Sequence, residues 1–162
     1  MNNYHQIAKE LYQNYIAYKA VSLKDRYIKH KDSDFLIQKL KSNPDFEIEE
    51  IGKSVENRSI HSLKWGQGKT KIFLWSQMHG DEPTATMALF DIFNFLSAKE
   101  DDFAEMREVL KQNLTLCFVP MLNPDGTERF TRRNALKIDM NRDFLKAESV
   151  ETQHFKVLQK KI

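Results

Sequence analysis

Apolar residues recur at helical spacing from the start of the chain, with Tyr4, Ile7, Ala8, Leu11, Tyr12 and Tyr15 predicting an amphipathic helix over 4–20. Residues 25–32 are mostly charged and read as a loop. Asp32-Ser33-Asp34 then caps a second helix, Phe35–Lys41, which Asn43-Pro44 stops. Apolar and polar residues next alternate through Phe46–Lys53 and again through Ser59–Trp65. A turn with Glu56-Asn57 lies between the two runs, so they predict a hairpin. Gly66-Gln67-Gly68 turns into the run Ile72-Phe73-Leu74-Trp75, short and apolar enough for a central strand buried on both faces. Pro83–Ala98 is apolar around most of its girth and predicts a helix packed on the sheet. A charged helix, Asp102–Gln112, precedes a second buried strand, Asn113–Met121.

Two buried strands joined through helices imply a parallel pair with a right-handed crossover. With the hairpin beside them, the expected class is α/β, with a mixed, largely parallel central sheet flanked by helices. The pattern lapses from Leu122 to Phe144, an irregular stretch of the length that carries function. A last helix is expected within Ala147–Lys161. There is no internal repeat. The organisation expected is a helical segment over 1–45 in front of a domain over 46–162.

Composition narrows the function classes. At 162 residues the chain suffices for one core. Its 25 basic and 23 acidic side chains leave a net charge of +2, which argues for neither nucleic acid nor a membrane surface as partner. The first twenty residues lack the apolar core of a signal peptide, and the expectation is a cytoplasmic protein. Cys117, the one cysteine, sits in an apolar run and reads as a reduced core residue.

Candidate chemistry begins at the end of the first buried strand. His79-Gly80-Asp81-Glu82 falls between a strand end and a helix start, because Pro83 turns Glu82 away from helical geometry and opens the helix itself. In open α/β sheets, ligands bind beyond the carboxyl ends of strands. An imidazole and a carboxylate held there are suitable zinc ligands. By themselves these four residues fit equally well a loop with a histidine and a helix-capping acid. His61, inside the hairpin, reads as a strand residue. Further on, Arg129, Arg132, Arg133 and Arg142 come with Asn134, Asp139 and Asn141 in a segment leaving the second buried strand. Guanidinium groups bind carboxylates at two points. A metal on one side and carboxylate receptors on the other suit a substrate with a free carboxylate beside a hydrolysable bond.

The ordered set HGDE at 79–82, NPDG at 123–126 and RRNALKIDMNRDF at 132–144 resembles the zinc metallocarboxypeptidases of the carboxypeptidase A type. The resemblance implies that His79 and Glu82 are zinc ligands and that Asp139 orients the histidine. It implies that Asn141 and Arg142 bind the substrate's terminal carboxylate. Arg132, or Arg133 one residue on, would stabilise the oxyanion. Asp81 stands where the digestive enzymes carry an arginine. The cofactor implied is Zn2+, which acidifies its bound water toward ~7. The family also needs a third ligand, a histidine after one more strand, and then a glutamate base. His154 is the only later histidine, and it falls inside the last helix. The expectation is therefore the N-terminal part of a carboxypeptidase domain with half its site, and with Phe73, Trp75 and Phe118 partly uncovered at an open sheet edge that favours self-association. An N-acyl amino acid hydrolase of the aspartoacylase type and a non-catalytic binding fragment are the competing readings. The substrate expected is a peptide or acyl-amino acid with a free carboxylate.

Overall fold

A computed structural model describes residues 4–162; residues 1–3 of the N-terminal segment lie outside the described residues. The chain runs α1 (Tyr4–Tyr18), α2 (His30–Leu40), β1 (Phe46–Lys53), β2 (Ser59–Trp65), β3 (Thr70–Trp75), α3 (Thr84–Ser97), α4 (Ala104–Asn113), β4 (Leu114–Val119), α5 (Pro124–Arg129), α6 (Met140–Asp143) and α7 (Val150–Lys161). The four strands form one mixed sheet in the order β1-β2-β4-β3. β1 and β2 are the expected hairpin and β2 pairs antiparallel with β4, so parallel pairing is confined to β3 and β4.

Alternation along the strands splits the apolar side chains between two layers. On one face Leu63, Trp65 and Phe118 pack with Leu89, Phe90, Phe93 and Leu96 of α3. Those four recur at helical spacing and give α3 a buried stripe narrower than its composition suggests; Ile92 stays 37% exposed. Ala20, Leu23 and Ile28 of the α1–α2 connection and Ile37 of α2 join the same cluster, so this N-terminal stretch shares the core of the sheet. On the other face Ile60, Cys117 and Val119 pack with Phe155 and Leu158 of α7. Ile51, three residues past Ile48 and so on the opposite face of β1, joins this second layer at the register shift between Glu50 and Gly52.

Four expectations change. α2 begins at His30, inside the stretch expected to be loop, because Asp32 accepts from the backbone N–H of Lys29 at 2.9 Å and fastens the first turn. The irregular stretch holds two short helices, α5 and α6. β3 is not a doubly buried central strand. It lies at the sheet edge, with Ile72 39% and Trp75 44% exposed, because only β4 pairs with it. α7 covers β3 on one face, where Phe155 stacks on Phe73 at 4.9 Å. Phe118, expected to be partly uncovered, is buried beneath α3. Among the described residues no helix is long and apolar enough to cross a membrane.

Cys117 is a free thiol at 4% exposure, and burial pushes its pKa up to about 11. The thiolate is the reactive form, and at pH 8 it amounts to about one part in a thousand. Native protein at pH 8 is expected to leave Ellman's reagent unreacted over an hour and to release one equivalent on denaturation. Stoichiometric labelling of the native state would show that this strand opens.

Candidate metal and carboxylate-binding site

The site lies beyond the carboxyl ends of the two parallel strands. β3 and β4 end side by side, at Trp75 and Val119. Ser76 N–H donates to the carbonyl of Val119 at 2.9 Å, and the chain then turns at Gln77, whose φ of 42° is left-handed. A non-glycine residue is uncommon there, and here its side chain holds the turn. Gln77 Nε2 donates to the carbonyl of Gly80 and to Thr127 Oγ1, both at 3.1 Å. Gln77 Oε1 lies 2.9 Å from Thr86 Oγ1 on α3. The loop that carries His79 is thus tied to α3 and α5 through buried polar atoms.

Asn123 ties the other strand end to the same loop. Its Oδ1 accepts from Gly126 N–H at 2.9 Å and caps α5, whose first residue is Pro124. Its Nδ2 donates to the carbonyls of Met78 at 3.2 Å and Arg132 at 3.4 Å. One fully buried amide therefore connects the residue before His79 with the backbone of Arg132. The asparagine-proline pair at 123–124 is a helix-start signal in the sequence, and it marks α5 inside the stretch expected to be irregular.

These supports bring four side chains together. His79 Nε2 lies 3.2 Å from Asp139 Oδ1, and His79 Nδ1 lies 3.1 Å from Glu82 Oε1. Arg132 Nε donates to Asp139 Oδ2 at 3.0 Å, and Arg132 Nη1 lies 3.4 Å from Glu82 Oε1. Burial works to raise the pKa of Asp139, but hydrogen bonds from Arg132 and His79 outweigh it and hold the carboxyl below the usual range. The imidazole is mostly buried, whereas the side chains of Glu82 and Arg132 are 61% and 44% exposed. A neutral imidazole donating from Nε2 to Asp139 would keep the lone pair of Nδ1, on the side of Glu82, for a metal. Two donors on one tetrahedral zinc stand roughly 3.4 Å apart. The 3.1 Å between Nδ1 and Oε1 is close to that, so nitrogen and oxygen here fit zinc as two of its ligands. Among the described residues no group of three metal-binding side chains forms.

The other named residues are placed as follows. Arg133 does not join the four; its Nη1 donates to the carbonyl of Lys137 at 3.2 Å. Asn141 and Arg142 lie on α6, one turn beyond Asp139, with both side chains exposed. Asp139 caps that turn, accepting from Asn141 N–H at 3.1 Å. Asp81 Oδ1 is buried and has no hydrogen-bond partner. His154 packs elsewhere: a Cβ on Gly52 of β1 would lie 2.4 Å from its ring. His61 is buried in β2 with its Nδ1 3.9 Å from Asp34.

The profile of the zinc carboxypeptidase family, peptidase M14, matches residues 33–160. Probable carboxypeptidase 2 of Arthroderma benhamiae is 26% identical over 132 residues, which cover 82% of this chain and 23% of that one. Carboxypeptidase SOL1 of Arabidopsis thaliana is 39% identical over 69 residues, covering 41% of this chain and 13% of its own. The crystal structure of a metallo-carboxypeptidase from Burkholderia cenocepacia superposes with a TM-score of 0.74 at 23% identity, over 82% of this chain and 38% of that one. The chain thus spans less than a quarter of the length of these two curated relatives. By the match over residues 33–160, the chain belongs to the zinc carboxypeptidase family.

Proposed function

We propose that this chain forms the part of a metallocarboxypeptidase site that holds zinc through two ligands and receives the C-terminal carboxylate of a peptide. The observation that carries the reading is the double use of His79, with Nδ1 beside Glu82 and Nε2 beside Asp139. Zinc held by His79 and Glu82 would supply Lewis-acid polarisation of a carbonyl and an acidified water. Asp139 keeps the imidazole in one tautomer and one orientation. Arg132, beside the ligand pair, donates to the oxygen of the scissile carbonyl as negative charge develops there. Arg142 and Asn141 bind the terminal carboxylate and so select the last peptide bond of a chain.

The role of Asp139 predicts a graded loss. Asp139→Asn is expected to lower zinc affinity ~10–100-fold, the usual effect of removing an outer partner of a histidine ligand. Zinc affinity equal to wild type in that variant would take Asp139 out of the site.

Catalytic zinc ordinarily has three protein ligands and a water. The described residues supply a convergent pair, so the 162-residue chain is expected to bind zinc weakly and to turn over no peptide. Calorimetric titration with zinc, before and after His79→Ala, is the test. It is paired with an assay on a short peptide and on an acylated amino acid, each with and without a chelator. Affinity that is weak and vanishes with His79 supports the reading. Zinc binding indifferent to His79 overturns it. Tight stoichiometric binding with chelator-sensitive peptide hydrolysis would mean that this chain completes the site by itself.

A further inference from the structure

The segment from Arg132 to Arg142 carries four proposed site residues and little regular structure, yet both its halves are fastened to one place, the first turn of α7. Glu151, in that turn, is fully buried at 0% exposure. Its Oε1 accepts from the backbone N–H of Val55 at 3.2 Å, and its Oε2 accepts from Asn134 Nδ2 at 3.1 Å. Asn134 in turn organises the loop around it. Its Oδ1 accepts from the N–H groups of Leu136 at 3.1 Å and Ile138 at 2.9 Å, and its own N–H donates to the carbonyl of Ile138 at 3.1 Å. That closed loop separates Arg132 from Asp139, and it sets the approach of guanidinium to carboxylate at 3.0 Å.

The second half is fastened from the other side of the same turn. Ser149 caps α7, its Oγ accepting from Thr152 N–H at 3.3 Å. Asp143, the residue after Arg142, accepts from Ser149 Oγ at 2.7 Å, from Ser149 N–H at 3.0 Å and from Glu148 N–H at 2.8 Å. A buried carboxylate is costly unless its lone pairs are matched by donors. An apolar side chain would fill the place of Glu151 without that cost. What the carboxylate adds is direction, because it accepts from one donor on the hairpin turn and one on the loop that spaces the site residues.

We propose that the first turn of α7 is the frame of the site, with Glu151 and Asn134 as positioning residues for the Arg132–Asp139 pair and Ser149 and Asp143 as positioning residues for the Asn141–Arg142 turn. This deepens the reading of the preceding subsection, on which the roles of Arg132 and Asp139 rest.

A reciprocal exchange tests it. Glu151→Gln turns an amide donor toward donors, and Asn134→Asp sets one carboxylate against another. The double variant Asn134→Asp/Glu151→Gln restores one donor and one acceptor with the direction reversed. The readout is the exchange rate of the Arg132 Nε–H proton, followed by NMR of the full chain without metal, beside a zinc titration. Each single variant is expected to speed that exchange about tenfold or more, the scale of a lost hydrogen bond to a charged group, and the double variant to return it toward wild type. Single variants that lower Tm but leave the exchange rate unchanged would overturn the proposal, as would a double variant that stays fast. Should a single variant fail to fold, the double variant decides alone, a wild-type rate supporting the frame and a fast rate overturning it. Faster exchange with unaltered zinc affinity would support the frame and count instead against the zinc reading.

Discussion

Gly80→Ala is expected to destabilise the protein by more than ~3 kcal/mol, beyond the ordinary range for overpacking a core, and to abolish zinc binding at His79. The reason is the identity of what lies opposite. A Cβ on Gly80 would stand 2.0 Å from the carbonyl carbon of Gly126 and 2.2 Å from the backbone nitrogen of Thr127. These are backbone atoms of the first turn of α5, which Asn123 caps, so no side chain can swing away. Gly126 is also tight, with a Cβ there 2.5 Å from Asn123 Nδ2 and 2.7 Å from the carbonyl oxygen of Arg133. The two loops therefore meet backbone to backbone, and separating them moves His79 relative to Asp139. Thermal melting and a zinc titration check this together. A Tm within a degree of wild type, or zinc affinity retained in a destabilised protein, would show that the loop accommodates the methyl without moving His79.

Arg142→Ala is expected to weaken binding of a peptide with a free C-terminus by ~1.5–3 kcal/mol, the scale of hydrogen bonds to a charged partner, and to leave the amidated peptide nearly unaffected. Arg142 is exposed and forms no ion pair among the described residues; its Nη1 reaches only the carbonyl of Asn141, at 3.5 Å. Its guanidinium is therefore available to a carboxylate from solution without first releasing an internal one. Arg132 differs, since it is already paired with Glu82 and Asp139. Affinities for the free and amidated forms of one peptide, compared in wild type and variant, give the result. Equal losses for both would assign Arg142 a role other than reading the carboxylate.

Of the candidate site, the pairing of His79 with Glu82 was legible because it is local. His79 and Glu82 lie three residues apart in a loop whose ends, a short apolar strand and a helix opened by proline, are written in the same stretch. The order of HGDE, NPDG and RRNALKIDMNRDF was enough to point to the family. The partners across the site were not legible in that way. Whether Arg132 or Arg133 faces Glu82 and Asp139 depends on the turn from 134 to 138, and that turn is set by Asn134 and by Glu151. Glu151 gave no sign of this in sequence. An acid in the first turn of a helix reads as an exposed charge complementing the dipole, and only its burial shows otherwise.

The fold divides along the same line. The sequence by itself determined the elements whose signals are short in range: the hairpin of β1 and β2, the apolar run of β4, the helix α3, and the turn that presents His79. Period-two and helical patterns act between neighbours, so no distant contact is needed to write them. Only the tertiary structure decided that β3 lies at an edge with Trp75 44% exposed, that His154 packs against Gly52, and by what packing Asp139, already implied by the resemblance as the partner of His79, comes within 3.2 Å of it. Each depends on which elements pack side by side, and residues far apart in sequence meet only after the core has formed. An apolar strand carries the same composition at a sheet's edge as at its centre. What differs is the neighbour, and the neighbour is set by the fold.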